Sequence, residues 1–307
     1  MQWERVTTIA VGETTSGSLN NALPTIYAEA RRIKEQKSGT WERTTSVKRQ
    51  AEGEGLAYNW FSLNQIDGQD ITETQTNSNF QQFAGSVQST QPEMTQVIIK
   101  VTDRTYRKVS KNVTAQMGPS AGNAMARKKN KDYLSLATTF STTASPGTGN
   151  PLSHGHITAA VANAMSNVTE PATTPVFTVL HGFQIYDIQL EQLAAIGTYA
   201  IPAGMTEQVF RNGFKGAIAG SMVFEDGNIT VTSTPDANGM THAREGVYSV
   251  MGMTLRKATD RDEYYGGGAD VIILTDEYAF AENKSGTAGT TQVFCYRHLS
   301  DATAPTS

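Results

Sequence analysis

Apolar and polar positions alternate most clearly in "LAYNWFSLNQI" (56–66) and "MTQVIIKVTDRTYRKVS" (94–110), whose β-branched and aromatic residues predict strands. Between them, "TETQTNSNFQQFAGSVQSTQPE" (72–93) is too polar to bury itself, so the two strands read as the sides of a long hairpin-like excursion. A lone two-stranded ribbon is marginal in water, and one with so polar a middle needs another surface to lie on. A neighbouring subunit is the expected supplier.

Elsewhere the period changes. "LPTIYAEARRIKEQKSG" (23–39) predicts a short helix with Pro24 in its first turn and Gly39 after its last. Its apolar positions, Leu23, Ile26, Tyr27 and Ile33, suffice to cover a partner but not to make a core, so residues 1–50 read as an arm. "GPSAGNAMARKKNKDYLSLATTF" (118–140) predicts one helix of roughly five turns with Pro119 near its start. "LSHGHITAAVANAMSN" (152–167) and "FQIYDIQLEQLAAIG" (183–197) predict two more helices, the second amphipathic and closed by Gly197. "PVFTVLHG" (175–182) predicts a buried strand, and "GAIAGSMVFEDGNITVT" (216–232), "ADVIILTDEYAFAEN" (269–283) and "TQVFCYRH" (291–298) predict further strands. The class is α+β, in a chain of 307 residues with room for about two cores.

Charge sharpens the picture. The net charge of −4 does not mark a nucleic-acid binder, but its distribution is uneven. Residues 51–99 hold six acids (Glu52, Glu54, Asp67, Asp70, Glu73, Glu93) and no Lys, Arg or His. Residues 100–131 hold nine Lys or Arg against Asp103 alone. Two ordinary solvated faces would account for this; so would two surfaces that meet. No charged leader followed by an apolar core opens the sequence, and no apolar run approaches the ~18 residues that span a bilayer, so no membrane partner is expected.

The candidate chemistry is sparse. A phosphate-binding loop needs strand, glycines, then a helix N-terminus, whereas Gly266, Gly267 and Gly268 precede the strand "ADVIIL" and read as a turn. His154 and His156 would need a third metal ligand from His181, His242 or a carboxylate, and read more simply as helix-starting histidines. Cys295 has apolar flanks and reads as a buried thiol. Acidic pairs such as Asp260 with Asp262, or Asp187 with Glu191, read as surface or turn charges, and no Gly-x-Ser-x-Gly or His-Glu-x-x-His occurs. No catalytic residue, cofactor or metal is expected, and the chain is read as not an enzyme.

The order of these parts resembles the major capsid proteins of tailed bacteriophages, the Hong Kong 97-type coat fold. "PVFTVLHGFQIYDIQLEQL" is similar to the family's strand-then-helix in the axial domain, "GFKGAIAGSMVFEDGNI" to its glycine-punctuated strand pair, and "ATDRDEYYGGGADVIILTDEYAFAEN" to the return into the peripheral domain. The resemblance implies an arm at 1–50, an extended loop at 51–99, a peripheral domain with its spine helix at 100–149, an axial domain at 150–256, and return strands with a C-terminal tail at 257–307. It also implies self-assembly as pentamers and hexamers into an icosahedral head around double-stranded DNA, in a virion assembled in the host cytoplasm. A portal, a separate scaffolding protein and a decoration protein are the partners it brings with it. An encapsulin-type compartment shell shares the fold and stays open as an alternative, as does a soluble enzyme with an unrecognised site.

In that frame the candidate inter-subunit residues are Glu52, Glu54, Asp67, Asp70, Glu73, Trp60, Phe61, Phe80 and Phe83 on the excursion. Opposite them stand Arg104, Arg107, Arg127, Lys128, Lys129 and Lys131, with Arg31, Arg32, Lys34 and Lys37 as contacts of the arm with a neighbour, scaffold or packaged DNA. Some family members weld subunits through a lysine of the extended loop; residues 51–99 contain none, so that cross-link is not carried over.

Overall fold

The computed structural model describes residues 39–305 apart from 52, 64, 65, 75, 77, 79, 109, 110, 141, 168, 169, 197–215, 266 and 285–293. The arm helix expected at 23–39, with Arg31, Arg32, Lys34 and Lys37, lies outside the described residues, as does Glu52. The chain divides into two compact units, each built from separated stretches of sequence.

The described part of the first unit is Glu93–Lys128 with Met253–Tyr278. Strand β4 (Glu93–Thr102) pairs antiparallel with β10 (Ala269–Glu282), from Thr102 opposite Ala269 to Glu93 opposite Tyr278. The later part of β9 (Val247–Asp262) lies on the other side of β10. Alternation along β4 sends Val97 and Ile99 to one face, where they pack with Leu274 against Ala121 and Met125 of helix α3 (Lys111–Ser135). The strand expected at 94–110 stops at Thr102 and becomes a helix, α2 (Asp103–Lys108). The Thr102 hydroxyl accepts a bond from the Thr105 amide at 3.3 Å, a local turn that competes with further ladder pairing.

Helix α3 starts seven residues earlier than expected, so Pro119 sits inside it and not in its first turn. Proline removes one backbone donor, but residues 111–118 hold no strong breaker except Gly118 and continue the same helix. At its other end the helix tightens into a 3₁₀ turn over Leu136–Thr139.

The second unit comprises Ser38–Pro92, Lys129–Gly252 and Ala279–Ser307. Its five-stranded sheet has the order β11 (Cys295–Asp301), β8 (Asp236–Ala243), β5 (Val176–Leu180), β7 (Ser221–Glu225), β6 (Ala217–Ile218). Central β5 is buried at every position, as "VFTVL" requires. Leu180 and Val176 join Ile157 and Val161 of α4 (His154–Met165) and Ile185 and Ile188 of α5 (Gly182–Ile196) in one cluster. Val179 and Met240 join Tyr133, Phe140, Phe294 and Cys295 in a larger one.

Several polar groups buried in this unit pair with one another. Thr178 meets Ser221 at 2.6 Å and Thr241 at 2.7 Å, and Thr241 reaches His298 Nε2 at 2.7 Å. Short helix α1 (Thr40–Thr44) is tied in by Thr40 donating to Asp226 at 2.6 Å and by Thr44 at 2.8 Å from the Tyr133 hydroxyl. After it, β1 (Ser46–Arg49) runs parallel to the start of β9.

The excursion is a hairpin, with a partner other than the one expected. β2 (Tyr58–Leu63) pairs with β3 (Gly85–Thr90), a strand drawn from the polar middle, while "MTQVIIKVT" belongs to the sheet of the first unit. Small polar residues give β3 little intrinsic strand preference, so its pairing comes from register with β2. Gly85 opposite Leu63 is needed for space: a Cβ there would stand 2.2 Å from the Phe61 ring.

Candidate functional site

The hairpin has two unlike faces. Trp60 and Gln88, which are opposite one another in register, turn toward the body of the second unit. Trp60 donates from Nε1 to Asn283 Oδ1 at 3.2 Å and sets its ring edge-on to Tyr248 at 5.1 Å. Gln88 brackets one residue: the Lys284 amide donates to its Oε1 at 3.0 Å, and its Nε2 donates to the Lys284 carbonyl. Trp60, Gln88, Leu136, Thr139, Glu282 and Lys284 line a cleft of about 370 Å³. Burial pushes the Glu282 carboxyl up to about 7, against the opposing pull of Lys284.

The other face looks outward and is apolar. Phe61 and Val87, opposite each other in register, are 61% and 65% exposed, and Leu63 is exposed beside them. Farther along the excursion Phe80 (91% exposed) and Phe83 are also uncovered, and Glu54, Asp67, Asp70 and Glu73 are exposed on the same excursion. Adjacent residues of a strand point to opposite faces, so Trp60 and Phe61 cannot serve one surface together. Trp60 is therefore removed from the outward-facing candidates, having its contacts within the chain. Leu63 and Val87 join that face; their place was readable only once the partner of β2 was known.

The basic candidates also separate. Arg104, Arg107, Lys128 and Lys131 are exposed, and Arg127 is half-buried. Lys129 is corrected: it is 8% exposed, with its ammonium 5.0 Å from the centre of the Trp41 ring, because the helix turns that position inward beside fully buried Asn130.

Of the expected glycine turn, the described Gly267 and Gly268 do lead into β10 as a turn. Gly267 and Gly268 have φ of +86° and +103°, and β10 follows at once. A Cβ on Gly268 would stand 2.8 Å from the Asp103 carboxylate and 2.9 Å from the Arg261 guanidinium, so glycine lets those two groups meet. Arg261 binds Asp103 (2.9 Å), Asp270 (2.9 Å) and Glu263 (2.5 Å), and its hydrogen bond holds the Asp103 carboxyl below the usual carboxylate range. His154 and His156 begin α4, where His156 belongs to a capping box with Ser153. Cys295 is buried, donates to the Gly246 carbonyl, and has its thiol pushed up by burial. Among the described residues no cluster of His, Cys, Asp and Glu has the arrangement of a metal site, and no helix is long and apolar enough to cross a membrane.

No protein-family model matches the chain, and no curated protein does. Solved structures supply its class: the chain has the Hong Kong 97-type fold of phage capsid subunits. It is similar to the head structure of Helicobacter pylori bacteriophage KHP40, with a TM-score of 0.67 over 93% of this chain and 98% of that one at 10% identity. The capsid of Ralstonia phage GP4 matches at 0.67 over 98% and 99% of the two chains with 11% identity. The capsid of the Cyanophage P-SCSP1u matches at 0.67 over 94% and 96%, also with 11% identity. With so few identical residues, what is shared is the path of the chain.

Proposed function

We propose that this chain is the major capsid protein of a tailed bacteriophage, a structural protein that assembles with itself as pentamers and hexamers into the icosahedral head enclosing double-stranded DNA. The observation that carries this reading is a fold shared with phage capsid subunits over nearly the whole of both chains. The hairpin supports it: an outward face with Phe61, Leu63 and Val87 uncovered is what a segment lying over an adjacent subunit requires. The exposed acids of the excursion, Glu54, Asp67, Asp70 and Glu73, then meet the exposed Lys128 and Lys131 of a neighbour. Assembly takes place in the host cytoplasm with a portal and a separate scaffolding protein, and the arm contacts neighbour, scaffold or DNA on the inner face.

Electron microscopy of the purified protein tests the reading. Closed shells of uniform size, with nucleic acid inside those taken from infected cells, are expected. A protein that stays monomeric under all assembly conditions overturns it, and shells filled with an enzyme cargo would turn it toward a compartment shell.

A further inference from the structure

Two hydrogen-bonded chains of side chains run through the interior of the second unit, on opposite faces of β8, and each contains a histidine. On one face the His242 ring meets the Ala243 carbonyl at Nδ1 (2.9 Å) and the Tyr133 hydroxyl at Nε2 (2.7 Å). Tyr133 then meets the Thr44 hydroxyl (2.8 Å), and Thr44 meets the Thr40 carbonyl (2.9 Å). On the other face His298 meets the Ala144 carbonyl (2.6 Å) and Thr241 (2.7 Å), Thr241 meets Thr178 (2.7 Å), and Thr178 meets Ser221 (2.6 Å). All seven of these side chains are fully buried, which keeps bulk water from completing either chain.

Every contact needs one proton, and a carbonyl brings none. The His298 chain has four contacts and, with a neutral ring, four protons: those of the ring, Thr241, Thr178 and Ser221. It is saturated. The His242 chain also has four contacts but ends on a carbonyl at both sides, so a neutral ring, Tyr133 and Thr44 bring only three protons. One contact goes without, whichever way the hydroxyls turn. A second proton on the ring fills it: Nε2 donates to Tyr133, Tyr133 to Thr44, and Thr44 to the Thr40 carbonyl. The same proton on His298 would turn the Ser221 hydroxyl away from Thr178 and leave it no acceptor among these groups.

Neighbouring charge favours the same ring. Just beyond Thr40, Asp226 accepts from the Thr40 hydroxyl (2.6 Å), from Asn130 Nδ2 (2.6 Å) and from the Asn228 amide (2.9 Å), and it acts through space on Tyr133. The titratable groups that face His242 directly, Tyr133 on α3 and Cys295 opposite it on β11, are held neutral by burial, and Phe177 of β5 packs on the ring without charge. The charge acting on His298 is that of His156, which opposes a proton. Burial acts on both rings in the same sense, so the count of protons and the sign of the neighbouring charge are what separate them.

We infer that His242, Tyr133, Thr44 and Thr40 form a proton-operated clasp: in acid the folded chain takes one proton at His242, both hydroxyls turn over, and the added Thr44–Thr40 bond tightens α1. His298 takes its proton only as the sheet opens. The device lies within one chain and stands apart from the assembly reading.

Nitrogen NMR of the full-length chain labelled at its five histidines, between pH 7 and 4, tests it, with His242→Gln and His298→Gln assigning the two signals. In the folded parent His242 should gain its second proton about one pH unit above any change at His298, a tenfold difference in proton affinity. Thr44→Val leaves two contacts served by two protons, so the titration of His242 should fall by about one unit while His298 stays where it was. Thr44→Ser, which keeps the hydroxyl, should match the parent. A Thr44 that only packs would change the melting temperature without moving the ring's titration. The clasp is wrong if His298 takes its proton at the same or a higher pH than His242, or if the parent unfolds with His242 still neutral. It is equally wrong if Thr44→Val folds and leaves the titration of His242 unchanged; should that variant not fold, the order of the two rings in the parent decides.

Discussion

Two histidines show how single residues couple this fold to pH. His298 donates from Nδ1 to the Ala144 carbonyl at 2.6 Å and presents Nε2 to Thr241; His242 donates to the Ala243 carbonyl at 2.9 Å and meets the Tyr133 hydroxyl at 2.7 Å. A carbonyl only accepts, so each ring is the neutral form protonated at Nδ1, and burial lowers both to about 4. Their contribution is whole above the ordinary histidine value of 6.5 and is lost as pH falls toward 4, when the unfolded chain binds protons that the folded one refuses. Each histidine is worth at most about 3 kcal/mol across that window. Thermal melts from pH 7.5 to 4.5 should fall steeply for the parent and less steeply for His298→Gln; equal slopes would contradict this. At the turn, Gly268→Ala places a side chain at φ +103° and 2.8 Å from Asp103, so it should loosen the Arg261 cluster. A melting temperature unchanged from the parent would show that the turn absorbs the substitution.

The hairpin is the element on which most depends. It is held to its unit by Trp60 and Gln88 above a buried carboxyl, Glu282, whose protonated form is the one favoured when docked. That contribution is complete below the ordinary glutamate value of 4.5 and is lost as pH rises through about 7, the opposite sense to the histidines. Amide exchange in Tyr58–Leu63 and Gly85–Thr90, corrected for its intrinsic pH dependence, should accelerate from pH 6 to 8, and Glu282→Gln should abolish the difference. Outward substitutions behave otherwise: Phe61→Ser with Val87→Ser should leave melting within about 0.5 kcal/mol of the parent while sharply reducing shell formation. The helices α4 and α5 and the strand "VFTVL" were legible in the sequence because each buries its own periodic face. β3 was not, since "GSVQST" carries almost no apolar signal and becomes a strand only against β2. Nor was the inward turn of Lys129, which depends on Trp41, some ninety residues earlier.

At the scale of the whole molecule, the excursion holds no lysine for a cross-link, and the proposed shell is expected to be non-covalent. Denaturing electrophoresis of mature particles should give a single band near 33.1 kDa, and a ladder of multimers would contradict it. Both units are stitched from distant stretches of sequence, and this bears on when the chain becomes competent to assemble. Strand β4 meets β10 only after Ala269–Tyr278 have left the ribosome, more than 160 residues behind it. Cys295–Asp301 must follow before β8 gains its second neighbour and Phe294, Cys295 and Tyr296 are buried. A product of translation that ends before Cys295 therefore lacks the edge strand β11 of the five-stranded sheet. The proposed assembly would then select for complete chains by the order of synthesis alone, and a chain ended before Cys295 is expected to be missing from purified shells.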